Sequence, residues 1–310
     1  MLLLISKRIV SMLLIMFVIS VILFLIFESD KMAVATRVLG QYSTMEQREL
    51  WLTQNGYDEP ALQRYFTWVL RFISGDWGTS IETNTPVWDR IGPRLANTAI
   101  LGGLVFVITI SISLVLGILS GISEGSLRDR IITVVSVLTT SVPEFASATL
   151  LVFLFVFTLG WLPGTSSFMS GFSWIELILP VMVLVLYNFG YYTRMTRASM
   201  AEVMTSQYIR TAYLKGVPYK EVVMKHALRN ALIAPFTVMV LQLNYLLSGL
   251  IVVEVFFAYN GFGQLIYDAA LFGDIYVLEA CTMIAVFVAV ASQIISDVGY
   301  MFLNPRIRFS

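Results

Sequence analysis

Six long apolar segments constrain the fold of this chain more than any other feature. They cover approximately residues 9–27, 98–121, 131–159, 175–192, 231–257 and 278–303. Each is long enough to cross about 30 Å of hydrocarbon as an α-helix. The chain is 57% hydrophobic and 13% charged, whereas soluble domains carry about 25% charged residues. We therefore predict an all-α integral membrane protein with six transmembrane helices.

The first apolar segment differs from a secretory signal in its length and in the residues that follow it. Its apolar run is longer than a usual signal core, and the charged tail 28–31 follows without a small-residue cleavage site. We predict that the segment is retained. The resulting domain organisation is an N-terminal transmembrane helix at 1–27, an extracytoplasmic loop subdomain at 28–97, a transmembrane domain at 98–303 and a tail at 304–310.

The basic residues predict the orientation of the chain in the membrane. Lys and Arg residues occur near both termini and at 128–130, and seven of them lie in 193–230. The short connections 160–174 and 258–277 contain none, and the other basic residues lie in the long loop 28–97. Basic residues favour the cytoplasmic side of short loops. Both termini and the segment 193–230 are therefore predicted to be cytoplasmic.

Composition excludes several classes of function. The net charge is zero, so no global basic field favours nucleic acid. The single Cys281 and the single His226 provide neither an intrachain disulfide nor an obvious metal site. No GxxxxGK[ST] phosphate-binding loop occurs. If the protein uses ATP to move a solute, another chain must hold the nucleotide.

The segment 208–229 is a polar, basic insertion between two apolar segments. A short helix can end at Gly216 with Lys215 in its last turn, and Pro218 can begin a second helix. The second helix would then present one apolar face, made of Tyr219, Val222, Val223 and Ala227. Lys220, Lys225 and Arg229 would lie on its other sides. This helix–turn–helix element is either an amphipathic loop packed on its own bundle or a docking element for a soluble partner.

This insertion resembles the cytoplasmic coupling loop of ATP-binding-cassette importer permeases in the dipeptide, oligopeptide and nickel family. The resemblance covers nearly the whole chain. In the loop, Arg210-Thr211-Ala212 stand for the family's Glu-Ala-Ala triplet, Gly216 for its glycine, and 226–229 for its final Ile-x-Leu-Pro. The resemblance places the coupling loop at 193–230 and implies that it contacts the ATPase subunits. The implied coupling residues are Arg210, Thr211, Ala212, Lys215, Gly216, Pro218, His226, Ala227, Leu228 and Arg229.

The loop 28–97 is predicted to be ordered because four tryptophans need burial. Ser43 and Glu46 can form a capping box for a helix to about Gln54, which Gly56 closes. Asp58 and Pro60 can start a second helix that ends at Ser74 before Gly75. The loop either caps the helix ends or receives a binding protein, and the two roles are compatible.

Two outer motifs also resemble the family. One is the turn Gly-Asp-x-Gly-x-Ser at 75–80, and the other is Val-Glu-x-x-Phe-x-x-x-Gly-x-Gly at 253–263, whose glycines would permit a tight turn. The residues implied to face a binding protein are Asp76, Gly78, Ser80, Gly261 and Gly263. Gly273 stands where the family has an arginine before Asp274, so a salt bridge from that arginine is not expected.

The third and fifth segments contain the candidate pathway residues. Ser141-Val142-Pro143-Glu144-Phe145 interrupts an apolar span, and a carboxylate at the bilayer centre costs about 2.5–3.5 kcal/mol on insertion scales. Glu144 should therefore face the bundle interior, either lining the pathway or bonded to a neighbouring helix. The family resemblance places this Ser-x-Pro-x-Phe motif along the translocation path. The candidates are Ser141, Pro143, Glu144 and Phe145, with Gln242, Asn244 and Ser248 as either helix–helix contacts or gate residues.

The resemblance implies a non-enzymatic permease subunit in a bacterial or archaeal cytoplasmic membrane. Its implied partners are a homologous second permease, two cytoplasmic ATPase subunits, an extracytoplasmic solute-binding protein and membrane lipid. No cofactor is expected in this chain, because ATP and Mg would be held by the ATPase subunits. The implied solute is peptide-like or another small polar molecule. The alternative is an ATP-independent secondary transporter or channel, although neither an internal repeat nor several buried acids favour it.

Overall fold

The computed structural model describes residues 2–168, 171–241 and 243–303, and the described residues fold into helices and connecting turns. The helices of the first half are α1 Leu2–Ser29, α2 Lys31–Leu39, α3 Met45–Gln54, α4 Ala61–Ser74, α5 Val87–Gly121, α6 Leu127–Ser141 and α7 Glu144–Val152, which continues as a π-helical turn at Phe153–Thr158. The others are α8 Trp174–Met204, α9 Gln207–Leu214, α10 Tyr219–Glu221, a π-helical turn at Val222–Ala227, α11 Leu228–Ala231, α12 Ile233–Leu241, α13 Leu243–Phe256, α14 Phe262–Phe272 and α15 Ile275–Leu303.

Four helices in the described part of the chain are long and apolar enough to cross a membrane. They are Arg8–Ser29, Val87–Gly121, Trp174–Met204 and Ile275–Ser296. A fifth candidate joins α6 to the helix Glu144–Thr158 through a bend of 101°. The fifth predicted segment, 231–257, begins at the end of α11 and forms α12 and α13, and it includes Gln242, which lies outside the described residues. The all-helical membrane fold agrees with the sequence, and the count of six stays a prediction.

The bend between α6 and α7 is sharper than a simple proline kink. Val142 is extended, and Pro143 serves as the N-cap of α7 with ψ near 150°. Because proline disfavours the helical conformation in the residue before it, the helix ends at Ser141. The carbonyl of Pro143 accepts bonds from the backbone N–H groups of Ala146 and Ser147, which starts the new helix. The segment predicted at 131–159 is therefore two helices.

The chain divides into two compact units, and the first contains residues 1–97 and 261–294. Its apolar core joins Val87 and Ile91 of α5, Phe262 and Leu265 of α14, and Cys281 of α15. The α3 capping box is formed by Thr44 and Gln47. The predicted pair of Ser43 and Glu46 is thus wrong by one residue, because the Ser43 hydroxyl instead accepts a bond from Arg48. The helix at Ala61–Ser74, closed by Gly75 in the left-handed region, is confirmed.

The second unit contains residues 98–260 and 295–310. Its core is built around α8, with Leu179, Val183 and Leu184 fully buried against α5 and α13. Close helix packing depends on glycine. A Cβ on Gly190 would lie 2.2 Å from the Ser136 carbonyl oxygen of α6, and one on Gly117 would lie 2.4 Å from Thr196. Small residues of this kind allow helix backbones to approach closely inside membranes.

Candidate coupling site

An apolar core fixes the segment from α9 to α11, residues 207–231, to the C-terminal end of α8, which is predicted to be cytoplasmic. Ile209, Val222 and Ala227 are fully buried there. They pack with Met200 of α8 and with Ile122 of the α5–α6 connection. The Ser199 hydroxyl also donates to the Ala231 carbonyl at 2.7 Å. Residues 193–204 of the predicted loop belong to α8, and the segment 207–231, named here the coupling loop, is held on the helix bundle by its own side chains.

The turn of the coupling loop follows a Schellman motif at Gly216. Gly216 has φ 77°, Val217 N–H donates to Ala212 at 3.2 Å, and Gly216 N–H donates to Tyr213 at 3.0 Å. The predicted end of the first helix is confirmed. Lys215 is the C-cap and not part of the last turn. Likewise, Pro218 is the N-cap of α10 and not its first residue.

The second half of the coupling loop departs from a regular α-helix. Residues Val222–Ala227 are π-helical, so the face predicted from α-helical spacing holds only in part. Val222, Val223 and Ala227 are buried as predicted, whereas Tyr219 is half exposed. The Tyr219 hydroxyl donates to the Ile122 carbonyl at 3.4 Å. The loop thus contacts the α5–α6 connection as well as α8.

The exposed surface of the coupling loop combines aromatic, aliphatic and basic groups. The Tyr213 and Tyr219 rings stack with centroids 6.2 Å apart, and Leu214 is 81% exposed at the tip. Arg210, Thr211, Lys215, Gly216, Pro218, Lys220, His226 and Arg229 are exposed, while Ala212 and Leu228 are half-buried. Lys225 Nζ lies 2.5 Å from Glu221 Oε1 and lowers the pKa of that carboxyl group. The surface is therefore cationic with an apolar tip.

A charged cluster that the sequence did not predict lies between the start of α6 and α8. Asp129 is buried and accepts two bonds from the Arg197 guanidinium, at 2.6 and 2.8 Å. Ser120 Oγ and the Gly125 N–H also donate to its carboxylate. The bidentate pair links the start of α6 to α8. The Ser126–Asp129 capping pattern marks the start of α6, but no local signal pointed to Arg197.

The pathway candidates occupy the bend between α6 and α7. Ser141 donates to the Val137 carbonyl, and Phe145 is 58% exposed. Glu144 is half-buried in the first turn of α7, where the helix dipole favours a carboxylate. Gln242 lies outside the described residues, and the side chains of Asn244 and Ser248 are also outside them. A second acid, Glu254 of α13, is fully buried and accepts a bond from Thr98.

The outer candidates belong to the first unit, and only some of them are exposed. Asp76 and Gly78 are exposed. Ser80 is buried and donates to Asp274 Oδ2 at 2.5 Å, and Arg90 supplies the salt bridge to Asp274 at 3.2 Å.

The two glycines of the second outer motif are also buried. Gly261 is the N-cap of α14 with φ −102°, and Gly263 lies within that helix. The backbone around 253–263 turns at Ala258, whose φ is 50°. The left-handed residue of this turn is therefore Ala258 and not a glycine, and Gly261 lies at the bend that leads into α14.

Comparisons with known proteins decide the family. The family model "Binding-protein-dependent transport system inner membrane component" matches residues 113–309. The corresponding N-terminal model matches residues 1–102. The chain belongs to this family. It is a permease subunit of an ATP-binding-cassette importer.

Three relatives illustrate the similarity to this permease. A peptide transport system permease protein of Brucella abortus (strain 2308) is 34% identical over 310 residues, covering 99% of both chains. The oligopeptide transport system permease protein AppB of Bacillus subtilis (strain 168) is 34% identical over 269 residues, covering 84% of this chain and 85% of the relative. The glutathione transport system permease protein GsiC of Escherichia coli (strain K12) is 32% identical over 303 residues, covering 98% of both chains.

Proposed function

We propose that the coupling loop docks a cytoplasmic ATPase subunit and passes its movement to the bent α6–α7 pair. The observation that carries this proposal is the contrast between the two sides of the loop. Its inner side is fixed to α8 by fully buried Ile209, Val222 and Ala227, and its outer side exposes Leu214 and two stacked tyrosines. A rigid support with an exposed aliphatic and aromatic tip suits insertion into a partner's pocket.

The proposed route of movement runs through α8. The coupling loop packs on Met200, and Arg197, one turn earlier, holds Asp129 at the start of α6. Further along the same helix pair, the Gly190 backbone lies against Ser136. A shift of α8 would therefore carry α6 with it, and the extended residue Val142 would act as the hinge to α7.

In this proposal the permease forms half of a translocation pathway with a homologous second permease. ATP and Mg bind in the two ATPase subunits, and this chain needs no cofactor. Both termini and the coupling loop lie in the cytoplasm. An extracytoplasmic binding protein delivers the solute, with exposed Asp76 and Gly78 as the outer contact candidates. The names of the relatives support a peptide-like solute or another small polar molecule.

The docking proposal is tested by placing a charge at the tip of the loop. Leu214→Glu should reduce co-purification of the ATPase subunits at least tenfold, because a carboxylate cannot enter an apolar pocket without a partner. The matched control is Leu50→Glu on α3, where another exposed leucine lies outside the coupling loop. Equal ATPase recovery with both variants would exclude docking through Leu214.

A further inference from the structure

An amphipathic helix on the surface of a water-soluble protein buries its apolar side, whereas α4 exposes its apolar side. Leu62, Phe66, Leu70 and Ile73 are 70%, 56%, 69% and 77% exposed. They recur at helical spacing and form one apolar stripe, named here the α4 stripe. Water-exposed domains seldom present a contiguous apolar surface of this kind without a reason.

Polar residues of α4 line an open cavity, although Thr67 and Arg71 remain exposed. Arg64, Thr67 and Arg71 line a cavity of about 450 Å³ together with Trp68. Arg64 is ion-paired with Glu28 there, and both side chains are largely buried. The Trp68 indole N–H donates to Glu279 at 3.1 Å. Arg64 is therefore sheltered by its ion pair, whereas the exposed Arg71 lies in the last turn of α4, where a long basic side chain can reach the headgroups.

The contacts of Tyr65 place α4 beside the membrane-spanning part of α1. The Tyr65 hydroxyl lies 2.8 Å from Ser20 Oγ in a buried contact. Its ring also packs edge-on against Phe17 and Phe24. Since the apolar candidate span of α1 ends at Ser29, Ser20 lies roughly 13 Å along the helix axis from that end, at 1.5 Å per residue.

We propose that α4 lies within the bilayer leaflet that surrounds the C-terminal end of α1, with the α4 stripe in contact with lipid acyl chains. At 14 residues, α4 is too short to span the hydrocarbon, but an amphipathic helix of this length can lie at the boundary between headgroups and acyl chains. The stripe is uncharged, and the neighbouring lipid-facing residues Leu25 and Ile26 of α1 are exposed in the same way. Lipid is therefore the occupant that matches both the chemistry and the depth of the stripe.

The test measures the medium around single labels in the assembled transporter, reconstituted into lipid nanodiscs. Phe66→Cys and Leu70→Cys, each in a Cys281→Ser background, carry an environment-sensitive fluorophore. Leu14→Cys on the exposed face of α1 provides the lipid control, and Glu49→Cys on α3 provides the water control. The fluorescence of each label is then quenched in two separate experiments. One uses lipid with a nitroxide near the carbonyl end of its acyl chain, which reports contact with lipid, and the other uses iodide in the buffer, which reports contact with water.

We expect both stripe labels to be quenched by the nitroxide lipid to within about twofold of Leu14→Cys, and to resist iodide several-fold more than Glu49→Cys. Quenching by iodide to the level of Glu49→Cys would overturn the proposal, because the stripe would then face water. Protection from both quenchers would also overturn it, because another protein subunit would then cover the stripe. Ile73→Cys, near the other end of α4, repeats the measurement if a label at Phe66 or Leu70 prevents assembly.

Discussion

The coupling loop and α4 are both short amphipathic insertions between long apolar helices, and they bury opposite sides. In the coupling loop, Ile209 and Ala227 are fully buried while the basic residues are exposed. In α4, Arg64 is largely buried in its ion pair with Glu28, while Leu70 and Ile73 are exposed. The same kind of sequence pattern therefore produces two different surfaces.

The difference teaches that the medium around each insertion, and not its amphipathic pattern, selects the side that is buried. In water, burial of apolar side chains provides the driving force. In hydrocarbon, apolar side chains gain nothing from burial, and exposed charges are costly. The four predictions below test this comparison, beginning with the largest expected effect.

The comparison first requires the two insertions to lie on opposite sides of the membrane. A cysteine at Thr83, in the exposed turn after α4, should react completely with an impermeant thiol reagent added outside intact cells. A cysteine at Gln207, at the start of the coupling loop, should not react until the membrane is opened. The positive-inside distribution is the physical reason. Labelling of both sites from the same side would reject the proposed topology.

Gly216→Val should reduce ATP-driven uptake to background while the permease still inserts. The substituted residue would have to adopt φ 77°, which costs about 1–2 kcal/mol for a residue with a side chain, and the Schellman turn would rearrange. The measurement is solute uptake alongside ATP hydrolysis by the purified complex.

The matched control for Gly216→Val is Gly75→Val, because Gly75 closes α4 in the left-handed region with open space around it but lies outside the coupling loop. Normal uptake by the Gly216→Val transporter would show that the turn geometry is not needed for coupling. Equal loss of uptake in both variants would mean that backbone strain alone causes the defect.

Asp129→Ala should lower the unfolding temperature of the complex by several degrees, because it leaves the Arg197 guanidinium without its bidentate partner. Breaking a buried pair costs about 3–5 kcal/mol of unfolding free energy. Because Arg197 is partly exposed, we expect a loss at or below the lower end of that range. Glu124→Ala is the control, since Glu124 is exposed and lies 3.6 Å from Arg197. If the Asp129→Ala and Glu124→Ala complexes unfolded at the same temperature, the cluster would be removed from the proposed route of movement.

Substitutions at Glu144 should have the smallest effect. If the carboxylate faces the pathway, Glu144→Gln should assemble normally and change the uptake rate a few-fold, with Glu144→Leu more severe. If it only complements the dipole of α7, both variants should transport normally and lose about 0.3–1 kcal/mol of stability. Uptake and thermal stability, measured together in the complex, separate the two roles.

Much of the coupling loop could be predicted from sequence because its signals are local. Gly216 and Pro218 define a turn through their own backbone preferences, which do not depend on distant residues. The π-helical turn at Val222–Ala227 could not be predicted in this way, because spacing patterns assume regular α-helices. The capping box at Thr44 was missed by one residue because Ser43 and Glu46 fit the same pattern, and the distinction lies in the bond from Arg48.

The outer region and the charged clusters were less predictable because their partners are distant in sequence. Gly273 replaces the arginine of the family, and yet Asp274 has a cationic partner in Arg90. Similarly, nothing near Asp129 indicates that Arg197 will pair with it. The broken span at Pro143 was visible in the sequence, but its 101° angle depends on the packing of α6 and α7 around α8.

The sequence by itself determined the helical membrane class, the positions of most helices and the turn at Gly216. These properties follow from apolar length, from the distribution of charge and from backbone preferences, all of which act over a few residues. Only the tertiary structure decided which side of α4 is buried, how the coupling loop is held on α8 and which cation pairs with Asp129. These features depend on groups brought together from distant parts of the chain, and their energies arise from burial and pairing that no local pattern contains.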